Sequence, residues 1–219
     1  YLKIIIFLKL SSKMIKGIIF DLDGVLIDTT KLQIDSTAKA LSPYMKINSH
    51  IKSILKQTIT TKEKLKIFSE ANYLKKNQLR NIYTEKKKIF EKEIKKREIF
   101  SKEIYNLFIY LKKNKYKCAL VTNANFKSTL FILKKMKINK FFSVIVTNKN
   151  KIKPKPSPEP YIYAMKKLCL KKENCLIFED SEVGLLSAKR SSAKTVKVDN
   201  VKDLNKKYLI NKISRYETI

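Results

Sequence analysis

The chain has 219 residues, which is enough for one substantial hydrophobic core or for a core domain with a smaller inserted module. Its formal net charge of +30 comes almost entirely from lysines that are scattered over every segment. Nucleic-acid-binding proteins usually concentrate such charge in a patch that also contains arginines and interleaved aromatic residues. Because the lysines here are scattered, we expect no specific nucleic-acid partner. We attribute the lysines to drift in composition; a polyanion-binding surface, or a general attraction of anionic substrates, is the alternative.

The first thirteen residues precede the first predicted strand. Their apolar run, Ile4–Leu8, is bracketed by Lys3 and Lys9 and is far too short to span a bilayer. We therefore predict no membrane association. Residues 1–13 are interpreted as an N-terminal extension that need not be native, because Met14 directly precedes the first strand.

Five apolar runs of strand length alternate with helical patterns along the rest of the chain. The predicted strands are Ile15–Phe20, Lys117–Val121, Ser143–Val146, Cys175–Phe178 and Thr195–Val198. The predicted helices around them are Ser101–Asn114, Asn125–Met136, Glu159–Leu168 and Glu182–Ser191. This alternation indicates βαβ units, and we predict an α/β fold with a Rossmann-like, mainly parallel five-stranded sheet and helices on both faces.

Residues 30–100 offer no comparable strand. They show amphipathic helical patterns rich in Lys and Glu, such as Lys62–Glu70 and Asn77–Lys96. We predict that this segment is an inserted α-helical cap domain. The core domain would then comprise residues 14–29 and 101–207, and residues 208–219 would form a polar C-terminal tail.

Two carboxylates, Asp21 and Asp23, lie where the first predicted strand ends, in the stretch Asp21-Leu22-Asp23-Gly24. Open α/β sheets bind ligands at this carboxyl edge, and Gly24 lets the chain turn away just beyond it. Burying two acids together is costly unless a cation or a reaction partner needs them there. One carboxylate can attack phosphorus, the second can carry protons, and Mg²⁺ can compensate their charge.

Polar residues also follow the second and third predicted strands. Thr122 and Asn123 come after the second, where a hydroxyl and backbone N–H groups can hold phosphoryl oxygens; a simple helix cap is the alternative. Residues 153–160 come after the third, and their prolines could fix the backbone so that a lysine reaches a point charge. A merely rigid connection is the alternative for this loop.

The fourth predicted strand is followed by Glu179 and Asp180, which are suitable Mg²⁺ ligands. Ser181 is expected to cap the next helix, and Gly184 to let that helix approach closely. All four motifs follow consecutive strands of one inferred parallel sheet. We therefore expect them to meet at a single edge.

This order of motifs resembles the haloacid dehalogenase-like superfamily, in its β-phosphoglucomutase and phosphoglycolate phosphatase-like branch with a helical cap inserted after the first motif. The resemblance extends from about Lys16 to Val198. It implies that Asp21 is the nucleophile and Asp23 the general acid/base, in an Asp-x-Asp-Gly-x-x-x-Asp pattern that ends at Asp28.

The resemblance also implies phosphate-binding roles for Thr122, with Asn123 beside it, and for Lys155. The family pattern Lys-Pro-x-Pro-Asp/Glu-x-Phe/Tyr fits Lys155 through Tyr161, while Lys153 begins a shorter repeat and is a second candidate. Asp180 is preferred as the direct metal ligand over its neighbour. The implied metal-binding residues are Asp21, Asp23, Glu179 and Asp180.

Asp23 favours phosphate-ester chemistry, because family members that dehalogenate or cleave phosphonates lack it. Gln33 stands where β-phosphoglucomutases carry histidine, and Lys62 lies near the position of their cap arginine. We predict a Mg²⁺-dependent phosphatase that hydrolyses a small phosphorylated metabolite, a sugar phosphate or phosphoglycolate-like compound, through an aspartyl-phosphate. A phosphomutase is the first alternative, and a non-enzymatic basic binding protein on the same scaffold is the second.

The cysteines follow no metal-ligand spacing. Cys118 and Cys175 fall in apolar strand-like runs, which indicates small core residues of a reducing compartment. We accordingly expect a cytoplasmic protein, and we favour a monomer.

Overall fold

The computed structural model describes residues 14–57 and 59–217, so the predicted N-terminal extension lies outside the described residues. The chain divides into two compact units. The first comprises the described residues up to Asp28 and from Ile99 onward, and the second comprises Thr29–Glu98. No helix in the described ranges is both long and apolar enough to cross a membrane.

The first unit is built on a sheet that has five strands in the part of the chain described. These are β1 (Gly17–Phe20), β2 (Lys117–Val121), β3 (Phe142–Val146), β4 (Cys175–Glu179) and β5 (Lys194–Lys197). They pair in parallel in the order β3-β2-β1-β4-β5, which confirms the predicted Rossmann-like sheet. The chain builds β2 and β3 on one side of β1 and then crosses to the other side, so β1 lies at the topological switch point where such sheets bind ligands.

Nine α-helices accompany the sheet within residues 14–57 and 59–217. The second unit contains α1 (Thr30–Leu41), α2 (Ser49–Lys56), α3 (Thr61–Glu70) and α4 (Leu79–Lys96). The first unit contains α5 (Lys102–Lys113), α6 (Phe126–Lys135), α7 (Glu159–Leu168), α8 (Glu182–Arg190) and α9 (Lys206–Glu217).

Helices cover both faces of the sheet, as predicted. Successive residues of a strand point to opposite faces. Ile19 belongs to a buried cluster with Tyr161 and Leu168 of α7. The ring of the next residue, Phe20, packs instead against Phe108 of α5, with 5.4 Å between the ring centroids. Both faces of β1 are therefore buried, which explains its continuous apolar run.

The second unit has an apolar core of its own. Its buried members include Leu41, Ile51, Leu55, Phe68 and Ile82. Helix α3 begins with reciprocal caps: Thr60 Oγ1 accepts from the Glu63 N–H at 3.2 Å, and Glu63 Oε2 accepts from the Thr60 N–H at 2.7 Å. These bonds satisfy two backbone donors that a helix otherwise leaves unpaired at its start.

The C-terminal segment corrects the prediction of a polar tail over residues 208–219. Its described part forms most of α9, in which Leu209 and Ile213 are buried one helical turn apart. The Tyr216 hydroxyl donates to the Thr195 carbonyl at 2.8 Å. The prediction was wrong because the many polar residues concealed an i, i+4 apolar pair, which is sufficient to dock a short helix.

The buried cysteines are structural. Cys118 and Cys175 are free thiols in the sheet, as predicted, whereas Cys169 is exposed. Burial raises the pKa of both buried thiols to about 12. Their thiolate forms are therefore disfavoured, and we assign these two residues to packing rather than chemistry.

Candidate active site

Three strand ends place polar residues at one edge of the sheet. Asp21 follows β1, Thr122 follows β2, and Glu179 is the last residue of β4. The sheet ladder continues one step beyond the strands, because the Asp21 N–H donates to the Phe178 carbonyl at 3.0 Å. All three side chains are largely buried.

Lys155 joins two of these strand ends. Its Nζ donates to Asp21 Oδ1 at 2.6 Å and also forms an ion pair with Glu179 Oε1. The residue is 7% exposed, although lysine rarely lies in a protein interior without a charged partner. Lys153 is exposed, and its backbone N–H donates to Glu159 Oε2. Of the two candidate lysines, the structure brings Lys155 to the acids.

The side chain of Asn123 contacts the backbone of Lys155 at two points. Its Oδ1 accepts from the Lys155 N–H at 3.2 Å, and its Nδ2 donates to the Lys155 carbonyl at 3.4 Å. Thr122 Oγ1 accepts from the Ala124 N–H at 3.2 Å, so the hydrogen of its hydroxyl can still be donated. The turn after β2 thus holds the lysine-bearing loop and presents a hydroxyl at the same edge.

Glu179 is fully buried, and both of its carboxylate oxygens are hydrogen-bonded. Oε1 accepts from Lys155 and from the Tyr161 hydroxyl, the latter at 2.7 Å. Oε2 accepts from the backbone N–H groups of Asp180 and Ser181, and from the Ser181 hydroxyl. These bonds compensate the burial of a charge that would otherwise be very costly.

Two glycines allow close approach at this edge. Gly24 has φ +90°, and a Cβ there would overlap the Asp180 carboxylate. A Cβ at Gly184, in the first turn of α8, would overlap the Glu179 carboxylate. As predicted, Ser181 caps α8, with its Oγ accepting from the Gly184 N–H at 3.1 Å. Any larger residue at either position would displace one of the acids.

Burial is the largest cause of the pKa shifts of Asp21 and Asp180. It raises the pKa of Asp21 to about 8, with Glu179 and Asp180 adding to the rise and Lys155 opposing it. It also raises the pKa of Asp180 to about 6, with Glu179 and Asp23 contributing repulsion. Burial alone would lower the pKa of Lys155, but the Asp21 and Glu179 carboxylates hold it well above its usual range, so this lysine remains charged.

The donor set fits a hard divalent cation. One carboxylate oxygen from each of Asp21, Glu179 and Asp180 lies within 4.8 Å of the others. Asp23 is partly buried, and its charge acts on Asp180. The carboxyl groups of Asp21, Glu179 and Asp180 thus lie close together, and the Lys155 ammonium pairs with the first two. Repulsion among these acids adds to the rise in the pKa values of Asp21 and Asp180, so a bound cation would be favoured here. Oxygen ligands of this kind are those that Mg²⁺ prefers.

Sequence reasoning missed two contacts within this cluster. It used Tyr161 only as the end of a motif, and Ser181 only as a helix cap, whereas both donate to Glu179. No periodic signal could have revealed the first contact, because Tyr161 lies on the core face of α7, where an aromatic residue normally only fills space.

Comparisons with known proteins agree with this fold. A curated protein of Thermotoga maritima, named phosphorylated carbohydrates phosphatase, is 26% identical over 184 residues, which are 83% of this chain and 83% of that protein. The crystal structure of β-phosphoglucomutase from Clostridium difficile is 24% identical with a TM-score of 0.77, covering 94% of this chain and all of that one. CbbY from Rhodobacter sphaeroides, solved with xylulose-1,5-bisphosphate, is 22% identical with a TM-score of 0.70, covering 83% of this chain and 85% of that one.

A family model for haloacid dehalogenase-like hydrolases matches residues 18–198. This match begins inside β1 and ends just after β5, so it includes every strand end that contributes to the acidic edge. The predicted resemblance and the predicted class of enzyme are both confirmed. Because one continuous match spans the sheet from its first strand to its last, the chain belongs to the haloacid dehalogenase-like hydrolase family.

Proposed function

We propose that the protein is a Mg²⁺-dependent phosphatase that hydrolyses a small phosphorylated metabolite through an aspartyl-phosphate intermediate. One observation carries this proposal: the Lys155 ammonium lies 2.6 Å from Asp21 Oδ1 at the carboxyl end of the central strand. A carboxylate paired with a fixed cation can act as a nucleophile toward an anionic phosphoryl group without repelling it.

In the first half-reaction, a carboxylate oxygen of Asp21 attacks phosphorus in line with the leaving group. The bond between phosphorus and the substrate oxygen breaks, and Asp23 donates a proton to that oxygen. In the second, Asp23 removes a proton from water, whose oxygen attacks phosphorus. The bond from phosphorus to Asp21 then breaks, which releases phosphate and restores the carboxylate.

The remaining residues stabilise charge. Lys155 and the Thr122 hydroxyl would contact the equatorial phosphoryl oxygens, where most of the negative charge of the transition state resides. Mg²⁺ held by Asp21, Asp23 and Asp180 would neutralise the crowded carboxylates and the phosphoryl group. Both carboxylate oxygens of Glu179 already accept hydrogen bonds, so they are less available to a metal ion. We therefore assign Glu179 the role of holding Lys155 in position.

The substrate class is proposed from the relatives. The Thermotoga maritima protein is named for phosphorylated carbohydrates, and its match covers most of both chains. Screening a panel of sugar phosphates, phosphoglycolate and other small phosphate esters for released phosphate, with and without Mg²⁺, tests the proposal. We expect Mg²⁺-dependent release from at least one sugar phosphate or phosphoglycolate-like compound. Release from none of them would contradict it.

The two acids after β4 should respond differently to substitution. Asp180→Ala is expected to raise the Mg²⁺ concentration for half-maximal activity by about tenfold or more, because it removes a proposed metal ligand. Glu179→Ala should mainly lower kcat, because it releases Lys155. Titration of activity with Mg²⁺ separates the two effects, with Glu173→Ala, an exposed acid before β4, as the control. The reverse ranking would exchange the two assignments.

A phosphomutase is the alternative, and the second unit argues against it. A mutase must hold a bisphosphorylated intermediate and protect its aspartyl-phosphate from water. Gln33, which has no ionisable group, accepts a hydrogen bond from Lys86 and donates one to Thr29 Oγ1 at 3.3 Å. Lys62 is exposed over the Tyr83 ring, and a lysine lacks the bidentate grip of arginine on phosphate.

We therefore expect phosphate release to exceed isomer formation. The protein should be incubated with hexose 1-phosphates and a bisphosphate primer while free phosphate and hexose 6-phosphate are both measured. Formation of hexose 6-phosphate that clearly outpaces phosphate release would identify a mutase instead.

A further inference from the structure

Both carboxylate oxygens of Glu179 accept hydrogen bonds, although the residue lies beside the proposed nucleophile, Asp21. It is 0% exposed, and Ser181 and the Asp180 backbone hold its Oε2. Its Oε1 is shared by the Lys155 ammonium and the Tyr161 hydroxyl. The orientation of Oε1, and therefore the position of the ammonium between Glu179 and Asp21, depends on these two donors.

Tyr161 is suited to fix that position. It is fully buried on α7, and its hydroxyl lies 2.7 Å from Glu179 Oε1. Its ring also faces the ammonium, with 5.0 Å between Lys155 Nζ and the ring centroid. A phenylalanine here would retain the ring, its packing and its contact with the ammonium, and would lose only the hydroxyl.

We propose that Tyr161 is a positioning residue whose hydroxyl holds Glu179 so that Lys155 stays directed at Asp21; this inference rests on the phosphatase function proposed above. The hydroxyl donates to the oxygen that competes with Asp21 for the ammonium. Without it, Oε1 is a stronger acceptor with a single donor, and it draws Lys155 away from Asp21 and from the transferring phosphoryl group.

The test compares Tyr161→Phe with Tyr163→Phe, which removes a hydroxyl from the same helix at a partly buried position whose ring faces Lys167. We expect Tyr161→Phe to lower kcat about tenfold, the magnitude of one buried hydrogen bond to a charged group. KM should rise by a smaller factor than kcat falls, because Tyr161 acts through Lys155 and does not itself touch substrate. Tyr163→Phe should leave both parameters unchanged. Equal kcat values for the two variants would overturn the inference.

A double-mutant cycle shows whether Tyr161 acts through Glu179. The Tm increase caused by inorganic phosphate, in the presence of Mg²⁺, is measured for Tyr161→Phe, Glu179→Gln, the double variant and the wild type. We expect Tyr161→Phe to reduce this increase in the wild-type background and to have little further effect beside Glu179→Gln. Additive effects would mean that the hydroxyl only supports packing. If Glu179→Gln does not fold, the comparison of kcat between the two tyrosine variants decides alone.

The inference and the proposed function can fail separately. A wild-type protein that releases no phosphate contradicts the function, and the same cycle measured as free energy of unfolding then still reports whether Tyr161 and Glu179 are coupled. Absence of that coupling overturns the inference. An active wild-type protein with a fully active Tyr161→Phe variant contradicts the positioning role and leaves the phosphatase intact.

Discussion

Asp21→Asn is expected to abolish turnover, with a loss on the order of 10⁴-fold or more in kcat, because an amide cannot attack phosphorus. The substitution nearly preserves the shape of the side chain. Burial raises the pKa of Asp21, with Glu179 and Asp180 adding to the rise and Lys155 opposing it. A neutral amide relieves the repulsion from the two acids but weakens the contact with Lys155, so we expect little change in Tm.

The measurement is phosphate release by the purified variant on the best substrate from the panel, together with Tm. The variant should be produced in a host lacking the wild-type gene and purified on fresh resin, which excludes contamination. Appreciable residual activity in such a sample would remove Asp21 from the role of nucleophile. A folded variant that still binds inorganic phosphate but releases none would support that role.

Lys155→Ala is expected to reduce kcat/KM by about 10²–10³-fold, whereas Lys153→Ala should reduce it by less than about threefold. Lys155 is buried between Asp21 and Glu179, and no other ammonium group is recorded on either acid in the described residues. Lys153 is exposed two residues away and serves as the matched control. Equal losses would mean that the loop presents its lysines differently from the structure.

Stability must be measured with activity for this pair. Removing Lys155 leaves two buried carboxylates without their cation, which typically costs about 3–5 kcal/mol. Lys155→Met retains the apolar stem and fills the same space, so it separates loss of charge from loss of packing. We expect Lys155→Met to be as inactive as Lys155→Ala while unfolding at a higher temperature. Activity near wild type in folded Lys155→Met would exclude a role for the charge.

Much of the fold and of the site follows from local sequence. The strands are short apolar runs that alternate with helical patterns, and their bounds in the structure differ by only one or two residues from those predicted. Asp21 could be placed at a ligand-binding edge because parallel strands all end at the same side of a sheet. Glu179 could be placed beside it for the same reason, since β4 is the neighbour of β1.

Other features were beyond the sequence. The helix α9 was missed because only Leu209 and Ile213 carry its buried face, and so small an apolar stripe is stabilised by the surface that it docks on rather than by its own propensity. The family pattern favoured Lys155 over Lys153, but both lysines precede proline, and the local sequence gives no physical reason why one ammonium turns inward. That choice requires the partner side chains, Asp21 and Glu179, which are remote in sequence.

The sequence by itself determined the alternation of elements, the strand ends that carry acids, and the positions where glycine is needed, because these depend on backbone geometry and local apolar patterns. Only the tertiary structure decided which contacts each acidic residue of the site makes. Glu179 and Asp180 are adjacent and chemically alike, yet one is enclosed by Lys155 and Tyr161 while the other lies against Gly24. The reason is physical: the role of a buried carboxylate depends on the donors that reach it, and those donors come from distant parts of the chain.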